Sequence, residues 1–188
     1  MLRRLVLLPL LFCTATSVRA QTMQATEKGS VLASGTASIE RTSRDSPAGD
    51  TSGTGFFVNP RALYFLAPRL GVGGEFALGR FRSDGLSNTT LGVGPAFRYY
   101  LAQPGRKQLP YVGGSVRLTR NSFTSATGTD QSLTARDYEG VAGLDFMVSR
   151  QVGIAAEAFV SRTEGGGNVF GNATAFGVRF GLDVFFLR

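Results

Sequence analysis

Ten charged residues recur on one face of an alternating pattern: Glu40, Arg61, Glu75, Arg98, Arg117, Glu139, Asp145, Glu157, Arg179 and Asp183. Carboxylates sharing an enclosure can do acid–base work, and guanidinium groups can bind anions or clasp those carboxylates through two parallel hydrogen bonds. The common nucleophilic routes are closed. The chain has no His, and its one Cys, Cys13, lies in the N-terminal apolar run. A Ser–His or Asp–His constellation, a thiol nucleophile and a Cys/His metal site therefore all lack their parts. Carboxylate-only catalysis stays open in form through Glu139, Asp145, Glu157 and Asp183, yet carboxylates interleaved with arginines are more often structural. The residues imply no catalytic, cofactor-binding or metal-binding site. Six acids against four arginines leave two readings: a ladder of ion pairs that fixes strand register, or charges that keep an interior wet. The Gly-rich runs Gly71-Val72-Gly73-Gly74 and Gly92-Val93-Gly94 lack the spacing and following helix of a phosphate loop.

The elements that must position these charges have a period of two. Phe176, Val178, Phe180, Leu182, Val184 and Phe186 alternate with Gly177, Arg179, Gly181, Asp183 and Phe185. Successive side chains of a strand point to opposite faces, so one face is apolar and the other carries Arg, Asp and Gly. Similar runs cover residues 70–79, 91–101, 111–118, 138–148 and 152–161, with two less regular ones at 29–40 and 55–66. The count is eight segments of roughly ten residues or a little more, the length of a tilted membrane strand. The polar stretches 41–52, 83–88, 121–133 and 164–172 predict long connections on one side. Ala67-Pro68-Arg69, Ser149-Arg150-Gln151 and residues 102–108 predict mostly shorter ones on the other. Pro60 and Pro95 fall inside segments, where proline removes a ladder donor, and each predicts a bulge or a missing ladder bond.

Residues 1–20 stand apart. Met1-Leu2-Arg3-Arg4 is a basic head, Leu5 to Cys13 is an apolar core, and Val18-Arg19-Ala20 places small residues before a cleavage point at Ala20/Gln21. This is the pattern of a cleavable secretory signal peptide, leaving residues 21–188 as one domain. Removal of Arg3, Arg4 and Arg19 lowers the net charge from +7 to +4, and the remaining basic residues are scattered, which argues against nucleic-acid binding.

Alternation alone does not say which face points inward. The polar face does: it is rich in Gly, Ala and Ser with Arg and carboxylates, and the chain has only two Lys. Small residues with pairable charges suit a narrow, filled interior rather than a watery exterior. The apolar faces carry no charge at mid-strand, where a lipid-facing Arg or Lys costs about 2–4 kcal/mol. Arg80, Arg120 and Arg162 fall on these faces only at one end. Tyr64, Tyr99, Phe146 and Phe186 mark one aromatic girdle, and Phe56, Tyr138 and Phe176 the other.

The chain resembles the small outer-membrane β-barrel proteins, the group of the OmpA transmembrane domain, OmpX and OmpW. The resemblance covers the residues after 20 as a pattern and is specific at the C-terminal run. Arg179, Gly181, Val184 and Phe186 match the assembly signal of that family, although Leu187-Arg188 follows where the family ends on the aromatic. It implies an all-β, eight-stranded antiparallel up-and-down transmembrane barrel in the outer membrane of a Gram-negative bacterium. Outer-membrane lipid and the barrel-insertion machinery would be its partners, in a monomer without cofactors and with no recognisable outer partner. An eight-stranded interior is about wide enough to be filled by side chains. That favours a structural or surface-interaction role over a narrow porin-like channel for small solutes or apolar molecules, and over a lipid-modifying enzyme, which the missing His disfavours.

Overall fold

The computed structural model describes residues 25–44, 51–83, 86–125, 130–165 and 173–186. The signal-peptide reading, with Ala20 and Gln21, lies outside them. The described residues form β1 (Val31–Arg44), β2 (Thr51–Ala67), β3 (Leu70–Ser83), β4 (Leu86–Tyr100), β5 (Gln108–Ser125), β6 (Asp130–Met147), β7 (Val152–Gly165) and β8 (Ala173–Phe186). Each pairs antiparallel with the next, and β8 returns to β1, so the sheet closes into an eight-stranded up-and-down barrel.

The strands are longer than alternation predicts, from 14 residues in β1 to 18 in β5 and β6. Of the polar stretches read as long connections, 83–88 and 121–133 are mostly strand, while half of 41–52 and most of 164–172 lie outside the described residues. Arg44 pairs with Thr51, Leu86 with Ser83, Asp130 with Thr124 and Gly165 with Ala135. The expected rhythm of long and short links is therefore corrected. Side-chain polarity marks where an apolar surface ends, whereas the backbone goes on pairing beyond it.

The register sets the tilt. Direct partners from Leu32 run through Leu63, Gly73, Ala96, Ser115, Glu139 and Ser161 to Ala175. Extending the β8–β1 register from Phe180↔Ala37 brings Ala175 opposite Thr42, ten residues along β1 from the start. Such a stagger requires strands inclined by about 35–45°.

Both prolines interrupt a ladder without shifting it. Pro60 pairs with Gly35, but the β2–β3 ladder jumps from Val58↔Leu78 to Arg61↔Glu75. Pro95 pairs with Gly74, but the β4–β5 ladder jumps from Val93↔Leu118 to Ala96↔Ser115. The missing donor therefore breaks pairing on one side only, and register holds on both. At the second gap a Cβ on Gly94 would lie 1.8 Å from the Val116 carbonyl oxygen, so the strands come too close there for any side chain. The single register shift among the described residues sits beside the Pro68-Arg69 turn, where Arg69 takes a φ of 71° as the third residue of a type II turn does.

The seam between β1 and β8 is the shortest ladder. It runs from Val31↔Phe186 to Ala37↔Phe180 and stops there among the described residues, while β1 continues to pair with β2 up to Arg44. Among the described residues, amides of Ser38–Arg44 that point toward β8 have no ladder partner there. Hydrogen exchange in micelles is expected to show fast exchange at alternate residues of this stretch and uniform protection across Val31–Ala37. Equal protection along all of β1 would show that the seam is closed to its end.

Candidate functional site

The barrel wall sorts side chains by parity. Val93, Leu118, Val160, Val178 and Phe180 stand on the outside, each more than half exposed. Arg61, Glu75, Arg98, Arg117, Glu139, Asp145, Glu157, Arg179 and Asp183 point inward and are all buried. Of the ten charges singled out in the sequence, only the side chain of Glu40 lies outside the described residues. An apolar exterior around a charged interior is the inverse of a water-soluble barrel.

The nine inward charges, joined by Asp137, make one continuous ion-pair network. Arg61 donates from Nε to Glu75 Oε2 at 2.6 Å and reaches Glu157 at 3.4 Å. Arg117 clasps Glu75, bonds Glu139 at 3.0 Å and lies 3.4 Å from Asp137. Arg179 donates to Glu139 at 2.6 Å and to Glu157 at 2.8 Å. Arg98 bonds Asp183, donates to Glu157 at 2.8 Å and sits 3.6 Å from Asp145. Each arginine thus bridges at least two carboxylates, and Glu157 receives three arginines. The links cross the lumen: Arg61 on β2 meets Glu157 on β7, and Arg98 on β4 meets Asp183 on β8. Between the two sequence readings, the geometry is that of a paired ladder rather than of solvated charges.

Neutral partners missed in the sequence complete it. Tyr100 accepts from Arg98 at 3.0 Å and donates to Asp145 at 2.7 Å, while Tyr111 donates to Glu157 at 2.8 Å. The Arg98 guanidinium also stacks 4.0 Å from the Tyr111 ring centre, a favourable placement for a desolvated cation. Ser34 donates to Asp183 at 2.5 Å, and Thr163 donates to Asp137. The signal was available, because these residues share the inward parity of the charges.

Below the network, toward the end where β1 begins and β8 ends, the lumen is plugged. Phe65, Tyr100, Tyr111 and Phe185 contact one another with ring centres 5.4 to 6.4 Å apart, packed with the buried Leu32, Leu63 and Leu109. The segment before β1 closes this end, with the Gly29 amide donating to Phe65 O and the Arg69 amide to Thr26 O. Inward rings need room along the wall, and glycines supply it. A Cβ on Gly143 would lie 2.4 Å from Tyr111, and one on Gly79 would lie 2.3 Å from Phe57.

For the C-terminal signal residues, Arg179 is held in the network and Phe186 projects outward, 55 % exposed. Gly181 sits where β8 meets β1, and a Cβ there would lie 2.6 Å from Gly35 O. Val184 pairs with Ala33 at the foot of the seam.

Glu157→Gln keeps shape but leaves three buried arginines short of charge. Removing one partner of a buried pair costs about 3–5 kcal/mol. Urea unfolding in micelles is expected to show a loss of that order. Arg162→Gln, on the exposed outer face, should stay within about 0.5 kcal/mol of the parent. Equal effects of the two would show that the network adds nothing to stability.

Comparison with solved structures gives the same architecture. The barrel matches the crystal structure of Neisserial surface protein A with a TM-score of 0.60 at 17% identity, covering 84% of this chain and 97% of that one. It matches the outer membrane protein OprG from Pseudomonas aeruginosa with a TM-score of 0.55 at 14% identity, covering 88% of this chain and 100% of that one. At such identities the likeness is one of fold. No curated protein matches the sequence. The family model for the outer membrane protein beta-barrel domain matches residues 9–183. With an apolar exterior, a charge-paired lumen and that match over nearly its whole length, the chain belongs to the outer membrane protein beta-barrel domain family and is an outer membrane protein of the Gram-negative type.

Proposed function

We propose that this protein is a closed, non-conducting barrel with a structural or surface-interaction role in the outer membrane. The observation that carries this reading is the network of Arg61, Arg98, Arg117 and Arg179 with their carboxylates, which crosses the lumen with all four arginine side chains at most 5 % exposed. The aromatic plug beneath it supports the same reading, since a conducting path would have to part both layers. The polar ends of the hairpins, which run on past the apolar band, are then the surface offered to the outside. A lipid-modifying activity is disfavoured by the absence of His from the chain. In this reading the barrel works as a monomer bounded by outer-membrane lipid. Arg179, Gly181, Val184 and Phe186 serve its insertion by the assembly machinery, not its activity.

Planar-bilayer recording of the purified full-length protein tests the closed lumen. The expected result is a silent membrane at moderate voltage. Steady, ion-selective openings that persist on repurification would establish the narrow channel instead. Glu157→Gln separates a plug from a pore: loosening a plug produces brief irregular openings, whereas a pore changes its selectivity.

A further inference from the structure

The outward face of β3 to β7 is not uniformly filled. It holds a groove of about 860 Å³ bordered by Pro95, Phe97, Val116, Gly140 and Val160, ending at Arg162. The groove crosses the gap that Pro95 leaves in the β4–β5 ladder, and its floor is the directly paired Gly114 and Gly140. Packing does not demand a glycine at 140, where a Cβ would meet nothing nearer than Val160 Cγ1 at 3.7 Å. At Gly114 a Cβ would lie 2.9 Å from Glu139 O, but at Gly140 a larger residue could fill the depression, which is left open on a surface that faces acyl chains.

An arc of cations crowns the same sector. Arg80 on β3, Arg120 on β5, Arg136 on β6 and Arg162 on β7 all lie on the outward, exposed face. Arg120 and Arg136 are diagonal neighbours through Arg120↔Thr134 and Leu118↔Arg136, and Arg136 and Arg162 through Arg136↔Glu164 and Tyr138↔Arg162. With the stagger of the strands, Arg80 falls at the same height. That height is the edge of the apolar band at the end opposite both chain termini, level with Phe56, Tyr138 and Phe176; with the termini on the periplasmic side it is the outer edge. Among the described side chains only Glu164 opposes them on this face, 2.9 Å from Arg162. The groove follows the directly paired Val72, Phe97, Gly114, Gly140 and Val160 obliquely across the apolar band and rises to Arg162, so its upper end opens beneath the β6–β7 end of the arc, whose four guanidinium groups face one carboxylate.

We infer that this sector binds one outer-leaflet lipid with a phosphorylated headgroup, its acyl chain in the groove and its phosphate on the arginine arc. Arginine suits the second part because its planar fork engages phosphate oxygens in pairs. A second copy of the chain fits less well, since a two-fold contact through this sector would set the arginine arc against itself.

The test uses the full-length barrel in uncharged detergent, with native mass spectrometry counting retained lipid. The probes are dimyristoyl phosphatidic acid and dimyristoyl phosphatidylcholine, with inorganic phosphate as competitor. The parent is expected to retain one phosphatidic acid about tenfold more tightly than phosphatidylcholine, a difference that one or two charge-assisted contacts supply. Gly140→Leu fills the groove and should weaken phosphatidic acid binding about tenfold, without disturbing the heat-dependent gel mobility of the folded barrel. The exposed pair Arg120→Gln with Arg136→Gln leaves the groove intact and should abolish the preference between the two lipids. Equal retention of both lipids by the parent would overturn the proposal. So would undiminished binding by Gly140→Leu, displacement of the lipid by inorganic phosphate, or a dimer in place of the lipid adduct.

Discussion

Inside a bilayer no water is available to the backbone, so each N–H and C=O must find its partner within the chain. For a sequence of alternating strands the only solution is a sheet without edges. That single constraint dictates most of what is seen here. Closure with a stagger of ten residues over eight strands makes a narrow tube, and parity then allots half of every strand to lipid and half to the tube's interior. A narrow interior has little room for water. Charges sent there must neutralise one another, and the network of four arginines and six carboxylates follows from that demand.

The face that each strand turns inward was readable from the sequence, because parity is a property of residue order alone. Arg61, Glu75, Arg98, Arg117, Glu139, Asp145, Glu157, Arg179 and Asp183 stand on the side that alternation assigns them. Who pairs with whom was not readable. The contact between Arg98 and Asp183 spans 85 positions and depends on the stagger, which no local pattern encodes. Strand ends were misjudged for a related reason. The polarity of residues 121–133 reports the edge of the apolar band, while the pairing of Asn121 with Leu133 reports the backbone. Tyr100 and Tyr111 escaped notice because they look like girdle residues until their inward parity is given as much weight as their chemistry.

The prolines show how much irregularity the closed sheet absorbs. Pro60 and Pro95 each lose ladder bonds toward one neighbour, yet the sum of partner numbers is the same on either side of each gap. A barrel tolerates such a lesion because both flanks are pinned by pairs above and below it. The seam between β1 and β8 has less such insurance, with seven ladder pairs among the described residues. It is held additionally by side chains: Ser34 and Asp183 are direct ladder partners and also hydrogen-bond each other, and Arg98 reaches across from β4 to the same carboxylate.

This placement bears on why the lumen is charged at all. Apolar residues of similar volume often stabilise an interior as well as a buried ion pair does, so stability alone does not call for arginine. Specificity does. A slip of one residue in any strand flips all of its side chains to the opposite face. A slip of β2, β4, β5 or β8 would carry Arg61, Arg98, Arg117 or Arg179 into lipid, at about 2–4 kcal/mol for the residue itself. It would also leave its carboxylates buried without a partner, which costs about as much again. An apolar lumen would exact no such penalty, because either face of the strand could meet lipid. The charges therefore act chiefly against wrong registers, and they do so most where the ladder is shortest. Asp183 on the last strand can be paired with Arg98 and hydrogen-bonded by Ser34 only when β8 meets β1 in the register that closes the barrel.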